Sequence, residues 1–271
     1  MRPNCPWALR PRRADESALR RALVSDIHGN IEAFQRVLED IASQGVTEVL
    51  CLGDVVGYGP YPMECLDIAM KLPLNLMGNH EEAVLFGAVG FNPKAKAAID
   101  WTRELLNSDL ASVDLKRARW NFIGDLKLRE DLVEGGRHFA LVHGTPREPT
   151  REYLFQTDIL DQEKMDDIFS MFEQVCFGGH THNPGAFTQD YHFYSPRDMR
   201  GPFRFTQQKV FVNIGSVGQP RDGDPRACYV IFDEREAEFR RVEYDVEKTV
   251  QAVLDNGRLP DYLGQRLRGG R

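Results

Sequence analysis

The sequence predicts a mixed α/β fold, helices laid over sheets that contain both parallel and antiparallel strands, and two stretches predict it. Near the start, "RALVSD", "NIEAFQRVLEDIASQG" and "EVLCLGD" spell strand, helix and strand in about thirty residues, the βαβ unit of a parallel sheet buried on both faces. Near the end, "ACYVIFDEREAEFRRVEYD" alternates apolar and polar residues around a charged turn, as an antiparallel hairpin does.

The elements follow in order. In the first helix Ile31, Phe34, Val37, Leu38 and Ile41 fall on one face, with Asn30 placed to cap it and Gly45 beyond its end. "YPMECLDIAMKL" reads as a helix, "LNLMGNH" as a strand, and "NPKAKAAIDWTRELLNSDL" as a long helix with proline in its first turn. "HFALVHG", "QVCFGGH" and "KVFVNIGS" are further strands, with the helix "ILDQEKMDDIFSMF" before the second of them. "VEKTVQAVLDNG" forms one more amphipathic helix. "HFYSPRDMRGPFRFTQQ", rich in Arg, Pro and aromatics, reads as a long loop or hairpin that could cover a site as a lid near residues 191 to 208.

With 271 residues, 42% of them hydrophobic, the chain can fill a substantial core. A single domain is expected over residues 21–256, between a disordered arm at 1–20 and an Arg- and Gly-rich tail at 257–271 that should fray. The arm carries positive charge and early prolines but lacks the continuous apolar segment of a secretory signal. No apolar run approaches the ~18 to 20 residues of a membrane span. A net charge of −7 argues against a nucleic-acid surface over the whole molecule, leaving only a local basic patch open. Five cysteines, odd in number and without CxxC spacing, read as small buried thiols of a reducing compartment, which points to the cytoplasm. A homo-oligomer is compatible with the sequence but not specified by it.

The chemistry gathers where strands end, the place at which open α/β sheets build their sites. Asp26 and His28 follow the first strand, Asp54 the second, Asn79 and His80 the third, then His143, and finally His180 and His182 in "GGHTH". Singly, each has an ordinary reading: a helix cap for Asp26, turn residues for Asp54 and Asn79, a satisfied histidine for His143. Jointly the ordinary readings fail, because five of the seven histidines follow apolar strands and each lies within three residues of a glycine. Carboxylate, amide and imidazole donors without a thiolate suit Mn, Fe, Zn or a similar divalent ion better than Mg or Ca held by oxygen alone. Seven ligands and a spare histidine are too many for one tetrahedral ion. Two ions ~3.5 to 4 Å apart, sharing a carboxylate and a hydroxide, would use them, and such pairs attack phosphorus in line. On an extended segment residues two apart point to the same side, so His180 and His182 would reach one site together.

The five blocks Asp-x-His, Gly-Asp, Gly-Asn-His-Glu, His and Gly-His-x-His stand in order from Asp26 to His182, and with them the sequence resembles the calcineurin-like metallophosphoesterases. "GDVVGYGPYP" and "NIGSVGQPRDGDPRACY" look like the bacterial branch labelled predicted phosphodiesterase or diadenosine-tetraphosphatase-like, and the resemblance spans residues 22 to 245. It implies a four-layer αββα sandwich, two mixed sheets face to face with helices outside. It further implies that Asp26, His28 and His182 bind one metal, that Asn79, His143 and His180 bind a second, and that Asp54 bridges them. His80 would protonate the leaving oxygen or stabilise phosphoryl charge, and a metal-bridging hydroxide would be the nucleophile. The cofactors implied are two divalent transition-metal ions among Mn, Fe, Zn, Ni and Co, with Mn the expected activator in vitro.

The resemblance favours small phosphodiesters, nucleotides or dinucleoside polyphosphates as substrates. The Asp-Arg pair that protein phosphatases carry after the Gly-Asp block is replaced here by "VVGYG". Arg147 in "HGTPRE" and Arg221 in "GQPRDGDP" are candidates to clamp a second phosphate, as is Asn30 where it does not serve as a cap. His138 and His192 fall outside the blocks and read as structural or solvated. The alternatives are a phosphomonoesterase or protein phosphatase, or a non-catalytic interaction module on the same fold, as in the retromer subunit. A pure scaffold has no need of His80. A metallo-β-lactamase would lead with His-x-His-x-Asp-His, which this sequence lacks.

Overall fold

A computed structural model describes residues 19–108 and 110–271, so the expected arm, apart from Leu19 and Arg20, lies outside the described residues. The chain opens as expected with β1 (Arg21–Val24), α1 (Ile31–Ser43) and β2 (Glu48–Cys51). It continues through α2 (Pro62–Ala69), β3 (Leu74–Asn75), α3 (Asn79–Phe86), α4 (Pro93–Asn107), α5 (Val113–Gly124), β4 (Arg129–Glu134) and β5 (Arg137–Val142). After α6 (Gln162–Ser170) come β6 (Val175–Gly178), β7 (Gly185–Thr188), β8 (Phe193–Tyr194), β9 (Phe203–Arg204) and β10 (Val210–Asn213). The hairpin of β11 (Ala227–Phe232) and β12 (Glu236–Val242) leads to α7 (Val246–Asn256) and α8 (Tyr262–Gln265).

These elements form the expected four layers. One six-stranded sheet runs β3-β2-β1-β11-β12-β9 and the other β4-β5-β6-β10-β7-β8. Each joins a parallel part, β1 with β2 or β6 with β5 and β10, to antiparallel neighbours. Alternation along the strands makes the layers: in β6, Val175 and Phe177 point between the sheets with Leu23, Phe139 and Phe232, while Cys176 packs outward against Met165 and Phe169 beneath α6. On the other outer face Ala22, Val24 and Tyr229 meet Phe34, Val37 and Ile41 of α1. Cys51, Cys65, Cys176 and Cys228 are buried and free. Among the described residues no helix is long and apolar enough to cross a membrane.

Two expectations are corrected. The tail from 257 does not fray: Leu259, Leu263 and Leu267 are buried, the first two against Ala98, Trp101 and Val253, and the Gly223 N–H bonds the Gly270 carbonyl at 3.0 Å. Three leucines at four-residue spacing give that segment an apolar face, which its Arg and Gly content obscures. The stretch near 191–208 is not a lid. β8 pairs with β7 at the edge of one sheet and β9 with β12 at the edge of the other, and Phe203 and Phe205 are buried between them.

Candidate active site

The chain turns sharply one to three residues past the ends of β1, β2, β5 and β6, and these turns are knitted together sideways. The N–H of Asp26 donates to the Gly53 carbonyl at 3.0 Å, that of His28 to Asp54 at 2.9 Å, and that of Gly179 to His143 at 2.7 Å. The turns use left-handed backbone at non-glycine residues: φ is 54° at Asp26, 48° at His28, 54° at Asp54, 64° at His180 and 61° at His182. Each such residue costs on the order of 1 to 3 kcal/mol, and asparagine, aspartate and histidine tolerate it best. His180 and His182 therefore do not stand on an extended segment as the i,i+2 argument assumed; two left-handed residues aim them.

All eight residues of the five blocks converge, and all but the half-buried Asn79 are buried. Two groups, Asp26 with His28 and His182 and Asp54 with His143 and His180, each bring donor atoms within 4.8 Å of one another, and a third, His28 with Asp54 and His80, overlaps both. Asn79 Oδ1 is 3.2 Å from His143 Nε2. Asp54 links the groups, its Oδ2 lying 3.6 Å from His28 Nε2 and 3.4 Å from His143 Nε2.

Backbone carbonyls decide which imidazole nitrogen faces inward. His28 Nδ1 bonds the Val56 carbonyl at 3.1 Å, His182 Nδ1 that of Gln219 at 2.6 Å, His143 Nδ1 that of Leu52 at 3.0 Å, and His180 Nε2 that of Arg151 at 3.1 Å. A carbonyl only accepts, so each of these nitrogens carries the proton, and the opposite nitrogen of a neutral ring presents a lone pair. Burial, then the neighbouring His80 and His182, pushes His28 well below the ordinary histidine value; burial and Arg221 lower His182. Their two bare Nε2 atoms face each other at 3.2 Å. Asp26 Oδ1, in the same group, has no hydrogen-bond partner among the described residues, since its 3.1 Å neighbour His182 Nε2 has no proton to give. Three lone pairs converging without a proton fit a cation, with the carbonyls in the supporting role such ligands require.

In the second group burial acts against charge, but Asp54 and then Asp26 outweigh it and push His143 up to about 9. A proton on its Nε2 then sits between Asp54, Asn79 and His180 Nδ1, the last 3.1 Å away. His180 itself is lowered to about 3 by burial and by His143. Burial alone would raise the Asp54 carboxyl, yet the charged His143 beside it holds it well below the ordinary range. Backbone N–H groups take the remaining oxygens: His180 N donates to Asp26 Oδ2 at 3.0 Å and His80 N to Asp54 Oδ1 at 2.9 Å.

His80 is buried beside the second carboxylate, its ring 4.6 Å from that of His28 and 4.5 Å from that of Tyr58. Its Nδ1 has no partner among the described residues, and it fits only because residue 57 is glycine at φ 86°, where a Cβ would lie 2.0 Å from that nitrogen. Burial, then His182, Arg221 and His143, lower it to about 4 against the pull of Asp54.

An open cleft of about 210 Å³ lies over the groups, lined in part by Tyr58, Phe91, Arg151, Tyr153 and Arg221. Arg221 reaches it as expected, with Nη2 bonded to Gln219 Oε1 at 2.8 Å and Nε buried without a partner among the described residues. Arg147 does not reach it: its guanidinium is taken by Glu152 and by Asp167, the latter at 3.1 Å, and Arg151, itself paired with Glu82 at 2.8 Å, lines the cleft instead. Asn30 is confirmed as a cap and is not at the cleft. Its Oδ1 accepts from Ala33 N at 3.2 Å and from Thr249 Oγ1 at 3.0 Å, and its Nδ2 donates to Gly218 O at 2.8 Å. His138 and His192 are exposed, as expected.

Sequence reasoning passed over Glu81, Tyr58 and Tyr153. The fully buried Glu81 carboxylate accepts four backbone N–H bonds, from Asp54 at 2.8 Å, Val55 at 2.9 Å, Gly78 at 3.0 Å and Val56 at 3.1 Å, and so fixes the turn that carries Asp54. Its signal was present in the Gly-Asn-His-Glu block. Tyr58, at φ 57° in "GDVVGYG", had a local signal too, but Tyr153 had none.

The profile of the calcineurin-like phosphoesterase superfamily domain matches residues 19–237. An uncharacterized protein of Methanocaldococcus jannaschii is 36% identical over 261 residues, 92% of this chain and 98% of that protein. A solved metallophosphoesterase from Sphaerobacter thermophilus superposes with a TM-score of 0.77 and 32% identity, over 94% of this chain and 100% of that one. A hypothetical protein from Pyrococcus horikoshii OT3 shares the fold, with a TM-score of 0.69 at 18% identity over 93% and 98% of the two chains.

Proposed function

Because the chain belongs to the calcineurin-like phosphoesterase superfamily, we propose that it hydrolyses small phosphodiesters, nucleotides or dinucleoside polyphosphates with the aid of two divalent cations. Asp26, His28 and His182 would hold one cation, Asn79, His143 and His180 the other, and Asp54 would serve both. The observation that carries the reading is the pair of unprotonated Nε2 atoms of His28 and His182, 3.2 Å apart beside the partnerless Asp26 Oδ1. Such a buried arrangement is repulsive unless positive charge lies among the three atoms. The shared position of Asp54 supports two cations over one.

When bound, the cations would supply Lewis acidity and a water acidified enough to attack phosphorus. The protein's own side chains do the rest. Asp26 and Asp54 bring negative charge to the strand ends, and the Val56, Gln219 and Leu52 carbonyls keep the inward nitrogens of His28, His182 and His143 aimed. His80 stands beside Asp54, outside both proposed ligand sets, where it can give a proton or a hydrogen bond to the leaving oxygen. Arg221, with its free Nε and Tyr58 beneath its guanidinium at 5.8 Å, would bind a non-bridging phosphoryl oxygen.

The test is hydrolysis of bis-p-nitrophenyl phosphate with Mn²⁺, Ni²⁺, Co²⁺ or Zn²⁺, with bound metal counted on the same samples. Expected are two ions per chain, activity greatest with Mn²⁺, and loss of activity in Asp54→Asn and His80→Ala. Two ions with no hydrolysis by any of the four metals would favour the interaction module. Full activity in His80→Ala would remove its assigned role.

A further inference from the structure

At about 210 Å³ the cleft is smaller than the pockets of roughly 300 Å³ and upward that enclose whole small ligands, so it holds a phosphoryl group and little more of an ester. A second groove of about 470 Å³ adjoins it. The two share a wall built from three separate strips of chain: Tyr153 lines the cleft and Phe155 the groove, His182 the cleft and Asn183 the groove, Arg221 the cleft and Asp222 the groove. Consecutive Cα atoms are only about 3.8 Å apart, so at each strip the cavities are at most two residues from one another.

A column of rings runs along that wall. The Tyr153 ring lies 3.9 Å from the His180 ring at 23°, and the Phe155 ring follows 5.2 Å further at 7°. Both Tyr153 and Phe155 are exposed, at 40% and 46%, so the rings are presented rather than packed away. Beyond them the groove is mainly apolar, with Phe187 and Phe193 in its lining. It also holds an acceptor with nothing to accept. Asp222 Oδ2 is taken by Arg241, whereas Asp222 Oδ1 is buried without a hydrogen-bond partner among the described residues. An acceptor oxygen there favours a group that donates N–H or O–H.

We propose that this groove binds the nucleoside moiety of the phosphodiester, the heterocycle stacked on Phe155 and an amino or hydroxyl group donating to Asp222, while the phosphoryl group lies in the cleft. The proposal rests on the phosphoesterase reading. It makes the substrate a nucleoside phosphodiester and leaves simple alkyl diesters as poor substrates.

The experiment compares metal-loaded protein on thymidine 5′-p-nitrophenyl phosphate and on methyl p-nitrophenyl phosphate, which share a leaving group and differ in the nucleoside. Calorimetry with adenosine 5′-monophosphate and methyl phosphate reads binding without turnover. The nucleoside compounds should be preferred in both assays. In Phe155→Ala the preference should fall about 5- to 150-fold, the range for one base stacked on one aromatic ring, and Phe155→Leu, which keeps the apolar surface but not the ring, should not restore it. Since Phe155 is exposed, neither variant disturbs the core. Equal use of the two diesters by the native protein, or an unchanged preference in Phe155→Ala, overturns the groove assignment and leaves the phosphoesterase reading standing. Hydrolysis of neither diester with any of the four metals overturns the reading itself, and binding of the monophosphate weakened in Phe155→Ala would then still support the groove.

Discussion

Between the sheets, Phe139, Phe177, Phe205 and Phe232 pack ring on ring at centroid distances from 4.9 to 6.2 Å, with no polar atom to satisfy. One to four residues past the ends of strands that form this core, the buried His28, His143, His180 and His182 crowd together with the buried Asp26 and Asp54, and all but His143 stand on left-handed backbone. The two regions share strands and differ in which way they move the stability of the protein. The aromatic core contributes to it, because burying apolar rings removes them from water. The site opposes it, because desolvated carboxylates, opposed lone pairs and strained turns each cost free energy that ligands recover only when they bind. A site of this kind has to be attached to a rigid core, and here the attachment is the set of turn hydrogen bonds together with Glu81.

The contrast can be broken first at Asp54. Asp54→Asn should lower hydrolysis of bis-p-nitrophenyl phosphate on the order of 10⁴-fold, about 5.5 kcal/mol, because one carboxylate serves both proposed cations. Its thermal midpoint without metal should stay level or rise; a fall of several degrees would show that the site stabilises the fold after all. The core variant is the mirror image. Phe177→Ala should cost about 3 to 5 kcal/mol in urea unfolding while the folded fraction keeps its metal count. Glu81→Gln probes the attachment itself, since a carboxamide turns an N–H₂ toward backbone donors. Mn²⁺ affinity by calorimetry should weaken about 10- to 100-fold, and an unchanged affinity would show that the Asp54 turn holds without it.

The smallest effect belongs to a carboxylate outside both regions. Asp224 is held down to about 2, chiefly by hydrogen bonds from the Arg226 guanidinium. A depressed folded-state value means stability present above the unfolded carboxyl range and lost as pH falls from about 4 toward 2. Asp224→Asn should therefore cost about 1 kcal/mol at neutral pH, allowing for solvent screening, and flatten the acid limb of a stability-against-pH curve. Hydrolysis at neutral pH should not change.

Much of this was legible along the chain. The spacing of Ile31, Phe34 and Val37 gave α1, the run "EVLCLGD" gave β2, and "ACYVIFDEREAEFRRVEYD" gave the final hairpin, because each depends on a period shorter than the element itself. The helix α3 was missed because it starts on the site residues Asn79 and His80, where chemistry replaces apolar periodicity. Arg147 and Arg151 look alike in sequence; only the folded loop gives one to Glu152 and Asp167 and places the other, paired with Glu82, at the edge of the cleft.

The sequence by itself determined the layered α/β fold, the donor types and their positions after successive strands, since strand, turn and glycine signals are local. How those donors come together is decided by the tertiary structure, and along the chain only the family resemblance, not any spacing, anticipated it. His28 and His182 are 154 residues apart and meet because β1 and β6 end at the same rim of the two facing sheets, a matter of strand order and register. Likewise the choice of inward nitrogen rests on the Val56 and Gln219 carbonyls, and the Phe155 groove on chain segments far apart in sequence. Such contacts are set by long-range packing, and no spacing within a single segment encodes them.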